Sequence, residues 1–146
     1  CEIGNNVILS NSVQVAGHVI IEDCAIVGGC LGIHQFVHIG YLSMIGGMTR
    51  VTRDIPPFCL AEGSPGRLRG LNKVGIKRSG LIERKNLNFK LLLQTWLLLF
   101  KSDYVISEAV EVAMSQELDF SSKRLCEFVK DSISSNRRGP MPVGNS

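Results

Sequence analysis

The sequence predicts a left-handed parallel β-helix of hexapeptide repeats followed by a small α-helical domain. Three observations carry that prediction. Every sixth residue from Ile3 to Val51 is a branched aliphatic: Ile3, Leu9, Val15, Ile21, Val27, Ile33, Ile39, Ile45 and Val51. A second series runs four residues behind it, Val7, Val13, Val19, Ala25, Leu31 and Val37, then Ser43 and Thr49. Beyond residue 73 the rhythm changes, and Phe89 to Phe100 reads as a helix that is apolar on most sides. A period of six suits neither an α-helix nor a flat strand. It suits a coil of flat faces with a turn at each corner and one inward side chain per face, about 18 residues per turn of three faces. The left hand follows from the hexapeptide pattern, since the ordinary crossover rule would give the opposite one.

In chain order, residues 1–57 form the coil, truncated on its N-terminal side. The repeat is already established at Cys1, which sits six before Val7 in the second series, so residue 1 reads as the interior of a solenoid. Inward residues stack in three columns: Ile3, Ile21 and Ile39; Leu9, Val27 and Ile45; Val15, Ile33 and Val51. Gly4, Gly28, Gly40 and Gly46, with Asn5, Asn6, Asn11, Gly17, Asp23, Gly29 and Gly47, are expected to supply the tight or left-handed corners. The pattern breaks after Val51, where Thr52 to Pro57 reads as an exit, because a proline pair cannot serve interior ladder positions. Residues 58–75 read as a crossing strand and loop, 76–136 as an α-helical domain and 137–146 as a flexible tail. Within the helices, Ser107 is expected to cap one running to about Glu117, and Ser121 or Ser122 another running to Ser134. In the last, Leu125, Phe128, Val129 and Ile133 share a face.

Composition narrows the function. The 146 residues fit one ordinary domain, and the 45% hydrophobic content is that of a globular protein. No apolar run reaches the roughly 20 residues of a membrane span. Residues 1–60 carry two basic and four acidic side chains, a net −2; residues 61–146 carry 14 and nine, a net +5. This balance is too mild to argue for nucleic acid. The five cysteines, Cys1, Cys24, Cys30, Cys59 and Cys126, are odd in number and loosely spaced, which predicts free thiols rather than a disulfide scaffold.

All three histidines, His18, His34 and His38, lie on the coil. Each has a pKa suited to base or hydrogen-bond duty, and the Gly17 N–H could face a developing oxyanion. The plain alternative is that the histidines are surface or packing groups. His34 and His38 have no carboxylate or cysteine placed to complete a metal site, so no metal is expected. Arg67, Arg69, Lys73, Lys77 and Arg78 form a basic cluster that suits a diphosphate, or else a solvated surface. There is no phosphate loop or dinucleotide fingerprint, and no cofactor is expected.

Several segments resemble one family. Ala16-Gly17-His18-Val19, Ala25 to Gly29, His34 to Gly40, Asp54 to Phe58, Gly70-Leu71-Asn72 and Gly75 to Arg78 are similar, in this order, to UDP-N-acetylglucosamine O-acyltransferase. This acyl-carrier-protein-dependent enzyme begins lipid A synthesis. The resemblance is strong to about residue 80 and continues through the helices. It implies a homotrimer with active sites in clefts between neighbouring β-helices. It also implies transfer of a (3-hydroxy)acyl group from acyl carrier protein to the 3-hydroxyl of UDP-N-acetylglucosamine. By this resemblance His18 supports substrate binding and Gly17 offers its N–H to the oxyanion. His34 and Gln35 hold the nucleotide sugar and the acyl donor. Gly47 leaves room for the acyl tail and sets its length. Asn72 and Arg78 contact the nucleotide and the donor's phosphates. Bacterial members are cytoplasmic and plant members mitochondrial; Asn136-Arg137-Arg138-Gly139 looks more like the plant kind.

The sequence also departs from the family pattern. The family's general base lies in a His-x-Cys run, and Cys1 matches its cysteine, which puts the base two residues before residue 1. The family's Asn-x-Glu is Asn72-Lys73-Val74 here, so a carboxylate beside the ribose is replaced by an apolar side chain. Two other readings follow: a non-catalytic oligomeric subunit or inactive truncated paralogue, which assembles with a longer paralogue, and a hexapeptide acyltransferase for another nucleotide sugar.

Overall fold

The computed structural model describes residues 1–134 and 136–144. Nine two-residue strands recur every six residues: β1 (Glu2–Ile3), β2 (Ile8–Leu9), β3 (Gln14–Val15), β4 (Ile20–Ile21), β5 (Ile26–Val27), β6 (Gly32–Ile33), β7 (His38–Ile39), β8 (Met44–Ile45) and β9 (Arg50–Val51). Each pairs in parallel with the strand 18 residues away, as in Ile3 with Ile21 and Ile21 with Ile39. Three faces result, β1-β4-β7, β2-β5-β8 and β3-β6-β9, wound as the expected left-handed β-helix. The three columns form as predicted. Ile21, Ile39, Val27, Ile45, Ile33 and Val51 are buried. Ile3 and Leu9, which have a neighbouring turn on one side only, remain 50% and 38% exposed. Where the second series turns polar, the buried Ser43 and Thr49 hydroxyls donate to Gly40 O (2.8 Å) and Gly46 O (2.6 Å), three residues back.

The corners differ from expectation. The left-handed residue of each corner is Asn6, Ser12, His18, Cys24, Cys30, Phe36, Leu42 or Met48, at φ 54° to 68°. None is glycine and none is β-branched, in keeping with the steric cost of that region for branched side chains. The glycines serve close approach between turns instead. A Cβ on Gly28 would overlap Gly47 N, and one on Gly40 would overlap Pro57 N.

The coil also runs further than the break after Val51 suggests. Ile55 bridges Ile39 in parallel, and β10 (Cys59–Glu62) adds to β8 through Leu60–Met44 and Ala61–Ile45. Two faces of a further turn therefore precede the hairpin to β11 (Arg67–Leu71). The proline pair is accommodated in the corner between those faces, where no ladder N–H is needed.

The helices are α1 (Lys73–Ser79), α2 (Leu81–Arg84), α3 (Phe89–Lys101), α4 (Ile106–Met114) and α5 (Phe120–Ser132). Asn88 caps α3 by accepting from Leu91 N, and Asp119 caps α5 by accepting from Ser122 N. The serines expected as caps are not: α4 starts after Val105 without a side-chain cap, and Ser121 and Ser122 lie buried inside α5. The predicted apolar face of α5 is present, with Leu125, Phe128 and Val129 buried beside Cys126. Residues 140–143, expected within a loose tail, run back along the coil and bridge Asp54–Pro140 and Leu68–Val143. Asn145 and Ser146 lie outside the described residues. Among the described residues no helix is long and apolar enough to cross a membrane.

Helix α5 docks on the first face. The Phe128 ring lies 4.7 Å from that of His38. Arg124 donates to Glu22 Oε1 at 2.9 Å and lies over the Tyr41 ring at 4.3 Å. His38 Nε2 lies 2.6 Å from Glu22 Oε2, a close electrostatic contact. Burial alone would raise the Glu22 carboxyl; His38 and Arg124 outweigh it and hold the carboxyl below its usual value of 4.5. A group with a depressed folded-state pKa stabilises the fold above its unfolded value and loses that contribution as pH falls through the folded one. Stability is therefore expected to decline on acidification below pH 4.5, and Glu22→Gln to flatten that decline. Urea melts of both proteins across this range test it, and an unchanged pH profile in Glu22→Gln would count against the clasp.

Candidate active-site cleft

Three edges run along the coil, one at each corner between faces. The first carries Asn6, Cys24 and Leu42, the second Ser12, Cys30 and Met48, the third His18 and Phe36. The third edge gathers most of the predicted site. His18 and Phe36 stack face to face, 4.8 Å between centroids and 5° between planes. The coil period explains this pair: 18 residues apart, both occupy the same left-handed corner, so their rings are superposed one turn apart. Gly17 O accepts from Phe36 N at 3.1 Å, while among the described residues the Gly17 N–H has no acceptor. A Cβ on Gly17 would meet only Gln35 Nε2, at 3.7 Å, so the Gln35 amide lies beside Gly17. His34 is exposed, its Nδ1 3.2 Å from Gln35 O. With the proton on Nδ1, that ring donates to the carbonyl and keeps Nε2 free as an acceptor.

His18, His34, Gln35 and Phe36 line a cleft of about 480 Å³ with Arg53, Arg137 and Arg138. Its floor is Asp54, 5% exposed, which accepts from His38 N (2.8 Å) and Ser132 Oγ (2.7 Å) and pairs with Arg137. The cleft presents imidazoles, an amide and cationic walls, and among the described residues the unpaired Gly17 N–H belongs to the same corner as His18. Such a set can hold a polar substrate and stabilise a developing oxyanion.

The other predicted residues lie elsewhere on the same chain. Asn72 and Arg78 belong to the first edge, in a separate cleft of about 370 Å³ with Cys24, Tyr41, Val74 and Arg84. Asn72 is buried, its Nδ2 donating to Leu42 O (3.0 Å) and its Oδ1 accepting from Gly75 N (3.1 Å), so its amide is already engaged in capping α1. Arg78 is exposed and, among the described residues, in no ion pair. Gly47 is exposed on the second edge, where a Cβ would meet Gly29 O at 3.4 Å. Within one chain, then, the three sets stand on three different edges. The basic cluster also separates: Arg69 approaches Glu62 at 3.6 Å, Arg67 turns to the far side with Arg50 and Arg53, and Lys73, Lys77 and Arg78 ride on α1. Phe36, Arg53 and the Asp54–Arg137 pair were not anticipated. Phe36 carried a readable signal in its spacing from His18; the Asp54–Arg137 pair spans 83 residues and carried none.

Among the described residues no group of three or more His, Cys, Asp or Glu side chains could hold a metal ion. Of the thiols, Cys59 and Cys126 are buried, and burial pushes them up to about 12 and about 11, which leaves them inert as nucleophiles at neutral pH.

Residues 54–141 match the family model for Udp N-acetylglucosamine O-acyltransferase, domain 2. The acyl-[acyl-carrier-protein]–UDP-N-acetylglucosamine O-acyltransferase of a Synechocystis strain is 43% identical over 143 residues, 97% of this chain and 51% of that protein. The protein of the same name from Paracoccus denitrificans is 58% identical over 80 residues, 55% of this chain and 31% of its own length. Among solved structures, the Arabidopsis UDP-N-acetylglucosamine acyltransferase superposes with a TM-score of 0.88 at 29% identity, covering 97% of this chain and 50% of that one. The Campylobacter jejuni enzyme gives 0.84 at 34%, covering 99% and 54%. The chain spans about half the length of these relatives. With the family model covering residues 54–141 and the coil before it matched in both sequence and structure, the chain belongs to the UDP-N-acetylglucosamine O-acyltransferase family.

Proposed function

We propose that this chain carries part of an acyltransferase that moves a (3-hydroxy)acyl group from acyl carrier protein to the 3-hydroxyl of UDP-N-acetylglucosamine, the first step of lipid A synthesis. The observation that carries the reading is the cleft on the third edge, where His18, His34 and Gln35 come together, with Gly17 at the same corner beside the Gln35 amide. In the transfer, the sugar hydroxyl attacks the thioester carbonyl and loses its proton to a base. The carbonyl oxygen becomes an oxyanion, which the Gly17 N–H stabilises. Collapse expels the carrier's thiolate, which takes up the proton. His34 and Gln35 hold the two substrates in line, and His18, flattened against Phe36, presents its ring edge to them. A base must stand within about 3 Å of the hydroxyl; in the family pattern it is the histidine two positions before residue 1.

The distribution of residues over three edges supports a site assembled between copies, as in a homotrimer. There the histidine edge of one copy would face Asn72 and Arg78 of another, and Gly47 would bound the acyl tail.

The test is UDP-N-acetylglucosamine-dependent consumption of hydroxyacyl carrier protein, by this chain and by a version extended with the upstream turns of the Synechocystis relative. Activity in the extended protein is expected. His34→Ala should lower kcat/KM by about 10-fold or more, the cost of one charge-assisted hydrogen bond. Gly47→Met should shift the preferred acyl chain to a shorter one. No turnover in either protein would sink the enzyme reading. It would favour a non-catalytic subunit, for which the engaged Asn72 amide and the 58% exposed Val74 in place of a carboxylate already speak.

A further inference from the structure

Arg50, Arg53 and Arg67 reach one cleft from three different segments. Arg50 lies on β9, Arg53 just beyond it and Arg67 at the start of β11. The cleft measures about 510 Å³, and its other walls include Pro65, Met141 and Pro142. Among the described residues no carboxylate lines it, and none of the three arginines enters an ion pair. A fourth cation stands close, since Arg138 Nη1 donates to the carbonyl of Thr52, a lining residue, at 3.4 Å.

The backbone that carries these charges is fixed. Arg50 N donates to Gly63 O (3.0 Å), and Leu68 N to Pro142 O (2.9 Å). Gly66 packs so tightly on Arg50 O that a Cβ there would overlap it. Arg67 is half-buried, with Nη1 held on Gly66 O at 2.8 Å and the rest of its guanidinium free. Like charges crowded on a rigid wall repel one another. The arrangement is relieved by an anion with several oxygens, because each guanidinium offers paired planar donors. A tetrahedral dianion can accept from cations on several sides of the cleft where a planar carboxylate cannot, and the proline and methionine walls suit an organic group attached to it.

We propose that Arg50, Arg53 and Arg67 form a binding site for a phosphate ester, distinct from the first-edge cleft of Asn72 and Arg78. The site adjoins the histidine cleft, with which it shares Thr52 and Arg53. The proposal stands without the acyl-transfer reading.

Isothermal titration of the full chain with inorganic pyrophosphate at low ionic strength tests it. One saturable site per chain is expected, weakened at least about 10-fold by Arg50→Gln and by Arg67→Gln. Lys85→Gln and Lys90→Gln, exposed lysines remote from the cleft, should leave it unchanged, with thermal melts showing that every variant folds. Binding that is non-saturable, indifferent to Arg50→Gln and Arg67→Gln, or lost equally in Lys85→Gln overturns the proposal. Glycerol 3-phosphate and vesicles containing phosphatidic acid then compete against pyrophosphate. Displacement by the first identifies a free ester, displacement by the second a lipid headgroup, and displacement by neither overturns the site. Binding of an acidic protein alone, with no affinity for pyrophosphate, overturns it too.

Discussion

Asp54→Ala is expected to destabilise the chain by about 3–5 kcal/mol, the range for removing one partner of a buried ion pair. Asp54 is 5% exposed and joins three parts of the molecule. Its carboxylate accepts from His38 N on the coil and Ser132 Oγ on α5, and it pairs with Arg137 beyond that helix. Its main chain completes the junction: Asp54 N donates to Gly139 O (3.3 Å) and Asp54 O accepts from Met141 N (2.8 Å). Alanine would leave a backbone N–H, a hydroxyl and a half-buried guanidinium without their acceptor, and Asp131, the other partner of Arg137, is too exposed to replace it. Asp54→Asn keeps the shape and one acceptor but loses the charge, so it should fall between. Urea unfolding at neutral pH measures both. A loss under about 1 kcal/mol for Asp54→Ala would mean that the helices dock by apolar contact alone.

Gly28→Ala and Gly40→Ala should each cost about 1–3 kcal/mol or more, while Gly32→Ala should be neutral or slightly stabilising. The chemical change is the same in all three. At Gly28 the new methyl would overlap Gly47 N and lie 2.8 Å from Gly46 C and Gly47 Cα. At Gly40 it would overlap Pro57 N and lie 2.8 Å from the Cα and Cδ of that proline. These neighbours are backbone or ring atoms of the next turn, which cannot swing aside, so the turns themselves must separate. Gly32 points outward from β6 with nothing within 4 Å, and alanine there only reduces the freedom of the unfolded chain. Urea midpoints of the three variants make the comparison; equal shifts at Gly28, Gly40 and Gly32 would show that close approach between turns is not what these glycines provide.

The coil was legible because its physics repeats. A column such as Ile3, Ile21 and Ile39 restates the same demand for a branched inward residue each turn, and the repetition outweighs any one position. Corner chemistry was misread because glycine has two uses. Gly28 and Gly40 read in sequence as conformational freedom, but the sequence does not distinguish that from a need for space against a neighbouring backbone. The exit after Val51 was set too early for a similar reason: Ile55 and Ala61 continue two columns at 16 residues instead of 18, so a strict period loses them. Of the site, His18, His34 and Gln35 do meet, because one edge of one coil holds them. Asn72, Arg78 and Gly47 could not be placed from spacing alone, since a linear pattern does not say which edge a residue beyond the coil returns to. The Arg50–Arg53–Arg67 cleft is hidden likewise, as Arg67 precedes the cations of α1 by a few residues in sequence but lies in space beside β9.

The left-handed corners bear on how such a chain can change over generations. Their side chains stand outside the columns, and every one of them already tolerates a conformation closed to proline and costly for β-branched residues. Along an edge they recur about 4.8 Å apart, one per turn. Imidazole, phenyl, thiol, thioether, hydroxyl and amide all occupy these corners here. Each edge is therefore a strip on which chemistry can be exchanged one residue at a time while the interior is left untouched. Specificity in this fold can drift at its corners far faster than its architecture can.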